Sequence, residues 1–436
     1  MQILNRNYGV GIMGLGTVGL GTATILKRNE EILSIRKGGK IELVSVLEKQ
    51  KEKARADLSA LGFDPNIVTD DFDLFLSTPG LDIVVELMGG TGIAKEFILK
   101  ALKAKKSVVT ANKDLMAIYG KELLTAAEKN QVDLYFEASV AGGIPIIKVL
   151  KNDLIANNIQ SIMGIVNGTT NYILTRMYEE RGNFNDILKE AQALGYAEAD
   201  PTADVGGFDA ARKVAILASI AYNSRVTLDD VYVEGIEKIT SNDIEAARKL
   251  GFVIKLLGIA KEENGEIEVR VHPVMIGTKH PLASVSQTFN AVFVTGDAVG
   301  ETMFYGRDAG DLPTGSAVVS DICAVVEDIK HDVLATKGCT CYMEKPVRKQ
   351  EDFVSKFYLR LKVKDSPGVL AAISKILGDH GVSIASLVQE NGNHEEASLI
   401  MVTHKVKEGQ FIKAKEELME SSVVYGIDNI IRVEVD

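Results

Sequence analysis

Tyr8-Gly9-Val10-Gly11-Ile12-Met13-Gly14-Leu15-Gly16-Thr17-Val18-Gly19 is an apolar run that ends in a cluster of glycines, and a helix-compatible stretch, residues 17–36, follows it directly. Read as strand, turn and helix, each glycine has a task. Gly14 lets the chain turn tightly, Gly16 leaves the main chain open to close approach, and Gly19 lets the helix lie against the strand. The helix start offers unpaired N–H groups and the positive end of a dipole, which suits a phosphate anion. The spacing Gly-x-Gly-x-x-Gly says little alone, but between a strand and a helix at the head of an alternating region it marks a dinucleotide site. Gly14, Leu15, Gly16, Thr17, Val18 and Gly19 are therefore the expected cofactor-binding backbone.

The alternation continues outward from that motif. Short apolar runs at 41–47, 82–87, 107–110 and 133–136 are separated by helix-like segments at 49–61, 95–105 and 114–130. That order predicts βαβ units and a parallel sheet of the Rossmann type, doubly wound, over residues 1–142. A helix-like stretch at 316–330 is placed to return to it, so 305–342 would complete that domain. Residues 143–304 read as a mixed α+β domain. They have helices at 145–157, 170–180, 185–194 and 208–222, and strands at 159–166, 267–275 and 291–295. A charged stretch, 343–352, reads as a linker. Beyond it, 353–436 follow the order strand, helix, strand, strand, helix, strand: a ferredoxin-like βαββαβ module that looks self-contained and removable.

The 436 residues carry a net charge of −11, which argues against nucleic acid as a partner. Three cysteines, Cys323, Cys339 and Cys341, imply no disulfide framework. Cys339 and Cys341 stand too near each other in the chain for good disulfide geometry. The N-terminal region does not read as a signal peptide and no apolar run is long enough for a membrane helix, so the expected compartment is the cytoplasm, with no membrane contact.

Several segments carry chemistry. At the tip of the second strand, Glu48 would accept from a ribose 2′-hydroxyl and repel a 2′-phosphate, whereas Lys49 would do the reverse; the balance leans slightly to NAD(H). Val109-Thr110-Ala111-Asn112-Lys113 ends a strand, where ligands of open parallel sheets bind. Glu137-Ala138-Ser139-Val140-Ala141-Gly142-Gly143-Ile144, at another strand end, sets glycine-rich carbonyls beside a carboxylate, a combination suited to a hard cation and equally to a plain loop. Gly195-Tyr196-Ala197-Glu198-Ala199-Asp200-Pro201 leads to Asp209 and Lys213, which lie one helical turn apart. Ile216 and Ile220 continue their face. A charged pair heading an apolar stripe is partly buried, and so a site candidate.

Together, the glycine motif, Thr110–Lys113, Glu137–Ile144 and the block from Gly195 to Lys213 resemble homoserine dehydrogenase, in the same order and at similar separations over roughly residues 8–345. Tyr305-Gly306-Arg307-Asp308-Ala309-Gly310 resembles a glycine segment of that family, with Asp308 where glycine is usual. Asp365-Ser366-Pro367-Gly368-Val369-Leu370 resembles an ACT domain, a class that binds small effectors. The resemblance implies reversible reduction of L-aspartate 4-semialdehyde to L-homoserine with NAD(P)H. It makes Lys213 the proton donor and acceptor, with Lys113 sharing that work and touching the cofactor. It gives Glu198 and Asp209 the amino-acid part of the substrate, and Gly195 and Gly310 the cofactor. It places a monovalent cation, sodium, on Glu137 with the carbonyls of Val140, Gly142 and Ile144. It also implies L-threonine as effector at Asp365, Gly368 and Val369, and assembly as a homodimer or homotetramer. Two other readings stand beside it: another amino-acid or semialdehyde dehydrogenase on the same fold, or a non-catalytic amino-acid sensor.

Overall fold

The computed structural model describes residues 6–335, 338–390 and 395–434. The chain forms two compact units. The first comprises Met1–Ile159, Ala215–Leu228 and Asn290–Glu344; the second comprises Gln160–Val214, Asp229–Phe289 and Lys345–Asp436.

In the first unit six strands form one parallel sheet: β1 (Tyr8–Met13), β2 (Ile41–Leu47), β3 (Val68–Thr69), β4 (Leu81–Glu86), β5 (Ser107–Thr110) and β6 (Leu134–Tyr135). Their order is β3-β2-β1-β4-β5-β6. The direction of winding reverses between β1 and β4, and the C-terminal ends of those two strands therefore open a crevice. Helices α1 (Thr17–Arg28), α3 (Lys51–Ala60), α5 (Gly92–Lys103) and α6 (Lys113–Lys129) supply connections. The expected helix over 17–36 is two helices, α1 and α2 (Glu30–Lys37), because Asn29 leaves the helical region at φ −108° and ψ 14°. A short helix, α4 (Phe72–Leu76), and the two-residue β3 do not show in the sequence pattern; both are too brief to display a period.

The long helix α12 (Asp311–His331) packs on the same sheet, with Val318, Ile322 and Val325 in one core with Val10, Ile12, Ile83 and Val85. It also lies tightly on α1. A Cβ on Gly21 would come within 2.2 Å of the Asp311 carbonyl oxygen, and one on Gly315 within 2.8 Å of the Thr22 nitrogen. Strands β11 (Phe289–Gly296) and β12 (Gly300–Arg307) form a hairpin that leads into α12.

The second unit holds a mixed sheet. Strand β7 (Ile159–Ile165) pairs with β9 (Phe252–Glu263), which forms a long antiparallel hairpin with β10 (Glu266–Gly277); β8 (Tyr232–Val233) pairs with β10 in parallel. Helices α7 (Gly168–Glu180), α8 (Phe184–Ala193), α9 (Thr202–Val205), α10 (Phe208–Ala221) and α11 (Ser241–Lys249) accompany these strands. Only the first half of α10, through Val214, belongs to this unit.

The C-terminal residues give the expected βαββαβ order: β13 (Val354–Lys364), α13 (Val369–Asp379), β14 (Ile384–Glu390), β15 (Glu396–Thr403), a short β16 (Val406–Lys407), α14 (Glu408–Glu420) and β17 (Val424–Glu434). Val435, expected at the end of the last strand, lies outside the described residues. The module has its own core, in which Phe357, Leu359 and Leu361 meet Ile373, Leu377, Phe411 and Leu418.

It is not self-contained, however. β17 runs parallel to β10, with Val274 opposite Arg432, Met275 opposite Val433 and Ile276 opposite Glu434. Charged groups cross the same seam. Arg270 on β10 is fully buried and meets Glu268 at 3.1 Å, Glu434 at 2.7 Å and Glu408 at 3.4 Å. Glu408 also accepts from Arg432 at 2.7 Å and from the Ser355 hydroxyl at 2.8 Å. Arg360 on β13 pairs with the buried Asp243 of α11 at 3.0 Å. Even the stretch read as a linker is tied down: Ile267 donates to the Pro346 carbonyl, Arg348 donates back to Ile267, and the Arg348 side chain bonds Glu263 and Glu266. These buried charges must stay paired, because separating one from its partner leaves an uncompensated charge in the interior.

Candidate active site

The glycine turn is built as its spacing requires. Gly14 has φ +91°, and a Cβ on it would lie 2.9 Å from the Leu87 carbonyl oxygen. A Cβ on Gly19 would sit 2.2 Å from the Gly14 carbonyl oxygen, so only glycine lets α1 approach β1 this closely. Beside Gly16 there is open space. No side chain caps the start of α1, which leaves its first N–H groups to a ligand. A cavity of about 490 Å³ adjoins this turn, bounded by Gly14, Gly16, Glu48, Lys49, Met88 and Gly89 among others. Glu48 accepts from the Leu15 N–H at 2.9 Å and the Gln50 N–H at 3.1 Å. Partial burial pushes its carboxyl pKa up, but these N–H bonds outweigh that and hold it below the usual value. Gly310, at φ +124°, precedes α12 in the same unit.

Lys113 stands at the first turn of α6, just past the end of β5. A buried relay fixes that helix start. Asn112 accepts from the Leu115 N–H at 3.0 Å and donates to the Gly90 carbonyl at 2.7 Å. Its own N–H goes to the Thr110 hydroxyl, which donates to Glu86 at 2.7 Å. Glu86 in turn accepts from Met88 and Gly89. Burial pushes the Glu86 carboxyl up. Sequence reasoning did not single out Glu86; an acidic residue ending a buried strand was the available signal.

The segment from Glu137 to Ile144 is threaded between other backbone. Ala141 and Gly142 are left-handed, at φ +57° and +49°. A Cβ on Gly142 would fall 1.6 Å from the Asp308 carbonyl oxygen, and Gly143 donates to the Arg307 carbonyl at 3.1 Å. The Glu137 carboxylate is buried and accepts from the N–H groups of Ile146, Ile147 and Lys148, at 2.7, 2.8 and 2.8 Å. It therefore caps the following helical turn, and its side-chain oxygens are already engaged. Among the described residues no three His, Cys, Asp or Glu side chains converge as metal ligands. A cation beside this segment would be a hard one on main-chain oxygens. The Glu137 N–H is held by Asp321 at 2.8 Å. Burial raises the Asp321 carboxyl to about 6, against the pull of Lys148 at 2.7 Å.

In the second unit Lys213 and Asp209 come together at the head of α10. The ammonium lies 3.0 Å from Asp209 Oδ2 and donates to the Val166 carbonyl at 2.7 Å; the two side chains are 7% and 8% exposed. That is a buried pair, and not the solvated ion pair that helical spacing alone would allow. Asn167, which caps α7, donates to Asp209 at 3.0 Å and to Asp204 at 2.7 Å. Burial, with the charge of Asp209 nearby, pushes the Asp204 carboxyl up. Asn167 was missed in the sequence, although a polar residue between an apolar strand and a helix is a capping signal. Gly195 ends α8 at φ +74°, and the Thr169 hydroxyl holds the next residue by its carbonyl at 2.6 Å. The Glu198 side chain is exposed and makes no ion pair among the described residues; only its carbonyl is bound, by Gln192. At the C-terminal module, Gly368 precedes α13 at φ +92°, with open space beside it; Asp365 donates through its N–H to the Glu395 carbonyl, and Val369 is buried. Among the described residues no helix is long and apolar enough to cross a membrane.

Three family models match the chain: "Homoserine dehydrogenase, NAD binding domain" over residues 14–137, "Homoserine dehydrogenase" over 145–323 and "ACT domain" over 357–421. A homoserine dehydrogenase of Bacillus subtilis is 43% identical over 98% of both chains. One from Synechocystis is 45% identical over 97% of this chain and 99% of its own. The crystal structure of a homoserine dehydrogenase from Thiobacillus denitrificans superimposes with a TM-score of 0.93 at 42% identity, covering 98% of each chain. A hyperthermophilic archaeal homoserine dehydrogenase in complex with NADPH covers 73% of this chain and 98% of its own, with a TM-score of 0.62 at 27% identity.

Proposed function

Because the chain belongs to the homoserine dehydrogenase family, and so is a nicotinamide-dependent oxidoreductase that interconverts L-homoserine and L-aspartate 4-semialdehyde, we propose that Lys213 carries the proton of that reaction. The observation behind this is the buried contact of its ammonium with Asp209 and the Val166 carbonyl. The bound nicotinamide supplies the hydride. In the reducing direction the lysine donates to the oxygen that becomes an alkoxide, and its charge stabilises that oxygen beforehand. Asp209 sets the ammonium in place and meets the substrate's α-ammonium group. Glu198 is the proposed second partner of that group; its exposure leaves its carboxylate available. Lys113, placed by the Glu86–Thr110–Asn112 relay, shares the proton work and contacts the cofactor, as Gly195 and Gly310 do through their backbone.

Glu48 beside the glycine turn supports NAD(H) over NADP(H), since its charge opposes a 2′-phosphate. The proposed sodium site uses the backbone oxygens of Glu137, Val140, Gly142 and Ile144, the Glu137 carboxylate being occupied. Threonine is the proposed effector at Asp365, Gly368 and Val369, where the positive end of the α13 dipole suits a carboxylate. Exposed Met303 and Tyr305 on β12 support association between copies, as a homodimer or homotetramer. Absorbance at 340 nm with L-homoserine and each cofactor, with and without sodium and threonine, tests these assignments. Turnover of Lys213→Ala within tenfold of the parent would remove the central one.

A further inference from the structure

Asn167 stands at the joint between β7 and α7, a buried residue with no charge of its own. Its amide nitrogen donates twice, to Asp204 Oδ1 at 2.7 Å and to Asp209 Oδ2 at 3.0 Å. An amide nitrogen carries two protons, so both bonds form at once. Its oxygen is engaged elsewhere, accepting from the Thr170 N–H and the Thr170 hydroxyl, each at 2.9 Å. Those two bonds fix which way the amide faces. Turned over, it would set its oxygen against two carboxylates and its nitrogen against the Thr170 N–H. The same Asp209 oxygen receives the Lys213 ammonium at 3.0 Å. The charged groups that meet around the amide are thus Asp204 from α9 with Asp209 and Lys213 from α10; the first turn of α7 adds none. Two carboxylates and one ammonium leave a single negative charge in a largely buried place.

Two acids so placed would ordinarily share one proton, because like charges close together and poorly solvated resist being ionised at once. Burial pushes the Asp204 carboxyl up, the Asn167 bond pulls it back, and the charge of Asp209 adds to the rise. We infer that Asn167 is a positioning residue of the reaction: its two N–H groups stand where a shared proton would otherwise sit, and they keep Asp204 and Asp209 ionised together. A proton held in common can leave with either acid, whereas the protons of an amide stay where they are. If Asp204 took up a proton, its O–H would turn to Asp209 and compete with Lys213 for the same oxygen. The ammonium would lose its anchor, and the array would lose the net charge that complements a cationic group of the substrate. The kinetic consequence rests on the reading of Lys213 given above; the charge state of the two acids does not.

Asn167→Ser and Asn167→Asp, made in the full chain, test it. Both side chains cap a helix as asparagine does, so α7 keeps its start. Serine offers at most one donor in place of two, and aspartate offers none. Two readouts separate the parts. The first is thermal melting between about pH 5 and pH 8. Without the amide the folded chain binds a proton at Asp204 at a higher pH than the parent does, so each variant's deficit in melting temperature should be largest near pH 8 and shrink toward pH 5. The second is kcat/KM for L-homoserine against pH. Its acid limb should move up by about one pH unit in Asn167→Ser, the worth of one charge-assisted hydrogen bond, and further in Asn167→Asp, with turnover recovering toward the parent's above the limb. A melting deficit that is the same at every pH would overturn the proposal, since a lost contact alone acts that way. A deficit that shrinks as expected, with an unmoved acid limb or a loss of turnover equal at all pH, would overturn the positioning role. A failure of the lysine assignment would appear separately, in Lys213→Ala.

Discussion

Replacing Lys213 by alanine does two things, and the structure allows them to be separated. On the proposed role the proton carrier is lost, which costs a factor of about 10²–10⁴ in turnover. The substitution also strands Asp209, a carboxylate only 6% exposed that shares the Asn167 amide with Asp204. Breaking a buried ion pair from one side costs about 3–5 kcal/mol, which lowers the melting temperature by on the order of 10 °C. Lost activity in this variant therefore has two sources. In Lys213→Met/Asp209→Asn both charges leave together. Methionine refills the space of the lysine stem, and the new amide still meets Asn167. Removing a whole pair in favour of groups of similar volume is often neutral, so melting should return to within about 1.5 kcal/mol of the parent. Turnover, followed at 340 nm, should stay at least 100-fold down, as the lower bound for a general acid demands. A double variant that melts like the parent and turns over within tenfold of it would refute the proton-carrying role. A Lys213→Ala variant that melts like the parent would refute the burial argument.

Glu48→Gln keeps the acceptor for the Leu15 N–H but removes the charge; the ratio of kcat/KM for NADP(H) to that for NAD(H) should rise about tenfold, as for one charge-assisted contact, and an unmoved ratio would show that Glu48 does not face the ribose. Gly142→Ala adds a methyl where the Asp308 carbonyl stands, at a positive φ; thermal melting should show a loss of at least about 2 kcal/mol, and parent-like melting would mean the two segments separate easily. Lys255 is buried against Asn171 and the Val285 carbonyl, and burial lowers its pKa to about 8. Between about 8 and 10.5 the unfolded chain holds a proton that the folded chain has released, so this group's contribution to stability rises with pH there and is lowest below 8. The melting temperature of the parent relative to Lys255→Met should accordingly climb from pH 7.5 to pH 10; a constant difference would contradict the assignment.

The parallel sheet was readable because each strand is a short, nearly unbroken apolar run bounded by turn residues, and β1, β2 and β5 fall at the expected positions. Strand β9 was not foreseen. Both its faces are buried, so Phe252–Ala260 shows no alternation, and Lys255 in its middle reads as a surface residue. The first part of β17 was missed for the opposite reason: Gly426, Asp428 and Asn429 look like a loop, and only pairing with β13 makes them a strand. In the site, Asp209 and Lys213 were legible because one helical turn separates them. Asn167, Glu86 and the Val166 carbonyl were not, since a helix cap, a buried acid and a backbone oxygen gain meaning only when folding brings a partner to them. The sequence also could not tell that Glu137 spends its carboxylate on three N–H groups.

The join between β10 and β17 bears on how this protein can be cut or recombined. An effector module tethered by a flexible segment could be exchanged by swapping one stretch of sequence. Here the last strand of the chain is a rung of the catalytic half's own sheet. Removing it would leave the Val274–Ile276 backbone as a raw edge, with donors and acceptors waiting for any passing strand. A shortened chain would thus risk aggregation before it lost any catalytic group, and a grafted module would need to bring a strand of matching direction together with its own partner for Arg270. Amide exchange at Val274–Ile276 should report the integrity of the C-terminal module as faithfully as any probe placed inside it.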